Sequence, residues 1–86
     1  MTKKQKIIDK LLSGESDNNF DFLDLVALLM RLGFHHRIKG SHHIFYREQI
    51  VEIINIQADK DNKAKVYQVK QIRNLILKYK LQLEAS

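Results

Sequence analysis

The chain has 86 residues, a size for one domain with a modest core, and its 44% hydrophobic content is that of a folded protein rather than a disordered one. Fifteen Lys and Arg against ten Asp and Glu leave a net charge of +5, which suits a polyanionic partner as well as it suits a plain solvated surface. No Cys is present, so disulfide and thiolate chemistry are excluded, and no apolar run approaches the roughly 18–20 residues that span a bilayer.

Residues 3–12 pattern as a short amphipathic helix with Ile8, Leu11 and Leu12 on one face. The basic start is followed only by Ile7-Ile8 and Leu11-Leu12, broken by Asp9 and Lys10, which is too interrupted for a signal peptide. A cytoplasmic protein is therefore expected. The turn formers of residues 13–19 read as a loop, dividing an N-terminal arm (1–19) from the main body (20–82).

Asp21 is placed to cap the next helix. Asp24 puts a negative charge in its first turn, and Phe20 with Leu25 can form a hydrophobic staple. Phe22, Leu25, Val26, Leu29 and Met30 recur at helical spacing and are expected to face the core, with Gly33 ending the helix.

The period then changes. Residues 34–39 alternate loosely as a strand, Gly40-Ser41 forms a turn, and residues 42–47 make a second strand rich in aromatic and β-branched residues. Residues 50–57 carry the clearest strand pattern of all. A charged loop follows, and a last helix from Tyr67 to about Leu81 has Val69, Ile72, Leu75, Ile76 and Tyr79 on its apolar face. The expected fold is α+β. An α-β-β-β-α body packs a three-stranded antiparallel sheet on two helices and leaves the other sheet face partly open, with an extra N-terminal helix.

Four histidines fall in two adjacent pairs, His35-His36 and His42-His43. Neighbours on a strand point to opposite faces, so neither pair can ligate a metal from one side. A zinc site drawing one His from each strand would need further ligands, and no Cys supplies them, so no metal is expected. If His43 and Phe45 point inward, then His42, Ile44 and Tyr46 point onto the open face. An outward imidazole near Arg37, Lys39 and Tyr46 can serve as an acid or base at neutral pH, and it can equally be an ordinary strand histidine. Between Lys60 and Lys80 lie seven basic residues and one acid, among them Lys65, Lys70 and Arg73. Such a loop and helix flank could follow a phosphate backbone or simply be solvated. Tyr46 and Tyr67 could stack on bases, although strand aromatics more often pack.

One pattern goes beyond composition. Leu25-x-x-Leu28-Leu29-x-x-Leu32-Gly33-Phe34, followed by Arg37-x-Lys39-Gly40-Ser41-His42-His43-Ile44-Phe45, resembles the HicA (YcfA-like) toxins of HicA–HicB toxin–antitoxin pairs over roughly residues 20–81. The resemblance implies a fold like the double-stranded-RNA-binding domain and a metal-independent, cofactor-free endoribonuclease that cleaves mRNA. It makes His42 the catalytic residue and implies a HicB-type antitoxin covering the active face. The RNA contacts expected with it are Arg37, Lys39, Gly40, Ser41 and Tyr46 around the hairpin, and Lys65, Lys70 and Arg73 at the last helix. Many members carry Pro-x-His after the third strand; this chain has Ile56-Gln57-Ala58-Asp59 there. The competing expectation is a non-catalytic RNA-binding or protein-interaction module on the same scaffold.

Overall fold

A computed structural model describes residues 3–83. Helix α1 (Lys3–Ser13) is followed by a single 3-10 turn (Asp17–Asn19) and helix α2 (Phe22–Arg31). Strands β1 (His35–Lys39), β2 (His42–Tyr46) and β3 (Ile54–Ile56) come next, and helix α3 (Val66–Tyr79) completes the order. The strands form one antiparallel sheet in the order β1-β2-β3. The α+β architecture and the extra N-terminal helix expected from the sequence are both present.

Helix α2 starts and stops for local chemical reasons. The Asp21 carboxylate accepts from the Asp24 backbone N–H at 3.1 Å, and the staple residues Phe20 and Leu25 are both buried. At the other end Gly33 takes φ 89°, Gly33 N–H donates to Met30 C=O and Phe34 N–H donates to Leu29 C=O. These two bonds are the Schellman ending, which needs the left-handed conformation glycine adopts without strain. Helix α3 begins with the Gln68 side chain accepting from the Lys65 backbone N–H, so this fully buried amide has a satisfied acceptor.

The core joins Phe45, Ile54 and Ile56 of the sheet to Leu25 and Leu29 of α2 and to Val69, Ile72 and Ile76 of α3. Ile8 and Leu11 of the arm belong to the same cluster, Leu11 with no exposed surface. Because α1 packs on α2, the buried face of α2 is wider than a sheet alone requires. Leu28 is inside, and Met30, expected to face the core, is 52% exposed.

The third strand is the main departure from expectation. Its pattern promised residues 50–57, and only Ile54–Ile56 pair with β2. Gln49 turns the chain with φ 71°, and Glu52 is held by Tyr79 Oη at 2.6 Å and Lys78 Nζ at 2.8 Å. These bonds tie residue 52 to the end of α3, and Val51 is left 89% exposed. A hydrogen-bonded anchor on α3 outweighs local strand propensity here.

Candidate active site on the open sheet face

The register of the β1–β2 hairpin sorts the side chains. His36 lies opposite Phe45 and Ile38 opposite His43, while His35 lies opposite Tyr46, Arg37 opposite Ile44, and Lys39 opposite His42. Directly opposed residues share a face, and faces alternate along a strand. Phe45 is buried in the core, so the second set, with Asn55 opposite Ile44 on β3, makes the outer face. His42 therefore stands outward, as expected, and is exposed.

The hairpin tip sets the position of His42. Gly40 takes φ 62° and Ser41 keeps a negative φ, the pattern of a two-residue turn with glycine first. The tip is braced. Gln57 donates its side-chain N–H to Ser41 Oγ at 2.8 Å, and Gln68 donates to the Gln57 carbonyl at 3.3 Å. This chain of bonds ties the hairpin, the end of β3 and the start of α3, where Lys65 sits, into one unit.

On the outer face His42 has two polar neighbours. Lys39 lies directly across β1, and Asn55 Oδ1 lies 3.0 Å from His42 Nδ1. Nε2 has no hydrogen-bond partner among the described residues. Lys39, Gly40, His42, Ile44 and Asn55 line an open depression of about 480 Å³. It offers an imidazole, an ammonium, an amide and an apolar floor.

A second outward imidazole, which sequence reasoning passed over, sits at the far end of the face. His35 stacks on Tyr46 with centroids 5.1 Å apart, and its Nε2 lies 3.1 Å from Glu48. Plain alternation from His42 would have shown it once the register was known.

The inward histidines behave differently. His36 Nε2 and His43 Nδ1 lie 2.9 Å apart, His36 stacks on Phe45, and His43 meets the edge of Phe22. Burial, and then the neighbouring His36, push the His43 imidazole below its ordinary value. One histidine from each strand does meet here, but among the described residues no three His, Asp or Glu side chains converge as metal ligands would.

The basic residues of α3 do not join the hairpin face. Lys70 borders a groove with Glu52, Tyr67 and Asn74. Arg73, expected to touch RNA, is turned onto the arm. Its guanidinium donates to both Asp17 carboxylate oxygens at 2.9 Å and to the Leu11 carbonyl at 3.0 Å. The Arg73 hydrogen bonds hold the Asp17 carboxyl below the usual carboxylate range. Asp17, which has the look of a turn former in the sequence, is thus the partner of Arg73.

A family model described as HicA toxin of bacterial toxin-antitoxin matches residues 23–79, well over half of the chain. The protein belongs to the HicA toxin family. Membership implies a cognate antitoxin as its partner. The match runs from the second residue of α2 to the end of α3 and contains every residue of the hairpin face, while α1 lies outside it. No curated protein and no solved structure matches the chain significantly.

Proposed function

We propose that this HicA-family protein is an endoribonuclease that cleaves mRNA with His42 as its proton-transfer group. The observation that carries this reading is the depression around His42, where an unpartnered imidazole nitrogen faces solvent beside Lys39 and a glycine turn. A phosphodiester seated there meets positive charge from Lys39 and Arg37, and the Gly40 turn allows the RNA backbone to approach closely.

The chemistry needs no metal. His42 takes the proton of a ribose 2′-hydroxyl, the 2′ oxygen attacks the adjacent phosphorus, and the bond to the 5′ oxygen breaks. The leaving oxygen takes a proton from water or from the imidazolium in a later step. Positioned proton transfer contributes on the order of 10²–10⁴ in rate. Ser41 belongs to the turn beside the site, while Tyr46 stands at the far end of the same face against His35, where it could stack on a base, and Lys65 and Lys70 would meet phosphates away from the hairpin face. Arg73, committed to Asp17, is not part of this set.

Low-level expression of the wild type should arrest growth and fragment mRNA, and purified protein should cleave RNA in the presence of EDTA. His42→Ala should abolish both effects and still bind RNA with similar salt dependence. Wild type that binds RNA without cutting it would instead establish a binding module on the same scaffold.

A further inference from the structure

We infer that Asn55 is a positioning residue for His42: it holds the proton on Nδ1 and so makes Nε2 the basic nitrogen facing the substrate. The inference rests on the nuclease reading of the same face and assigns the role of a residue on a different strand. Asn55 lies opposite Ile44 in the β2–β3 register, so it is the diagonal neighbour of His42. At that spacing a side chain can reach across one strand position. It does so here, with Asn55 Oδ1 3.0 Å from His42 Nδ1.

An amide oxygen can only accept a hydrogen bond. A neutral imidazole carries its proton on one nitrogen or the other. With Oδ1 facing it, Nδ1 must be the donor, and the lone pair is left on Nε2. The opposite amide orientation would present N–H to Nδ1 and place the proton on Nε2, turning the outward nitrogen from a base into an acid. Asn55 thus decides which half of the proton transfer His42 starts from. Ile54 and Ile56 are wholly buried on either side of Asn55, so the backbone that carries the exposed amide is anchored beside His42. Gln57 bracing Ser41 holds the other end of the same unit.

The test uses the full-length protein with ¹⁵N-labelled histidine. Long-range ¹H–¹⁵N correlation at pH 8 reads which ring nitrogen of His42 is protonated, whether or not the protein cleaves RNA. The expected result is Nδ1–H in the wild type, against the Nε2–H form that free histidine favours. Asn55→Ala should return His42 to the free-histidine pattern and lower kcat on the order of 10–100-fold with KM little changed, a part of what positioned proton transfer contributes. Asn55→Asp should restore Nδ1–H and move the lower limb of the pH profile to higher pH, because an anion beside an imidazole favours its protonated form. Nε2–H in the wild type overturns the inference, and so does an Asn55→Ala variant with unchanged tautomer. A clear Nδ1–H signal in a protein that cuts no RNA would leave the positioning intact and defeat the nuclease reading alone.

Discussion

The Arg73–Asp17 contact offers the sharpest test of how the arm is held. Arg73 makes two bonds to the carboxylate and one to the Leu11 carbonyl, with side-chain exposures of 18% and 12% for Arg73 and Asp17. Exposed pairs contribute about 0.2–1 kcal/mol. Removing one member of a buried pair costs about 3–5 kcal/mol, because the other charge is stranded. This pair lies between the two cases, so Arg73→Met, which keeps most of the side-chain stem, should cost about 2–3 kcal/mol. For a domain of this size that is a fall in Tm of roughly 10–20 °C. Asp17→Ala and the double variant complete a cycle, and urea unfolding of all four proteins should give a coupling of about 1–2 kcal/mol. A coupling near zero would refute the strut. So would an Arg73→Met variant of unchanged Tm that loses RNA affinity, which would return Arg73 to the nucleic-acid surface.

Three further outcomes follow from the same structure. Leu11→Ala should destabilise the whole domain by about 2–5 kcal/mol, since Leu11 is fully buried in the shared core, and circular dichroism during urea unfolding would show one cooperative transition moved to lower urea. Gly40→Ala has open space for its methyl group, yet φ 62° makes the side chain cost about 1–2 kcal/mol, measurable by the same unfolding curves. The pH dependence comes from His43, whose folded value lies below its ordinary 6.5. Its stabilising contribution is complete above that unfolded value and is lost as pH falls through the folded one, so the urea midpoint should drop between pH 7 and pH 5, and His43→Gln should flatten that drop.

The helices and the hairpin could be read in advance because their signals are local. Asp21, Phe20, Leu25 and Gly33 act within a few residues of one another, and each does what its side chain or φ freedom dictates. Gly40-Ser41 marks the turn in the same way, and alternation from Phe45 puts His42 outside once one face is known to be buried. The HicA pattern could be read for the same reason, since its residues lie close together along the chain, from Leu25 on α2 to Phe45 on β2.

What only the tertiary structure decided depends on partners distant in sequence. The third strand has the strongest local pattern and the shortest ladder, because Glu52 is drawn to Lys78 and Tyr79 on α3. Arg73 resembles a free helix cation until Asp17, 56 positions away, occupies it. Asn55 is 13 residues from His42, and nothing in the chain marks it until the β2–β3 register sets it beside the imidazole. Local chemistry wrote the elements and the position of His42. The nitrogen on which that histidine carries its proton is decided by a neighbouring strand, because side-chain hydrogen bonds follow proximity in space and not order along the chain.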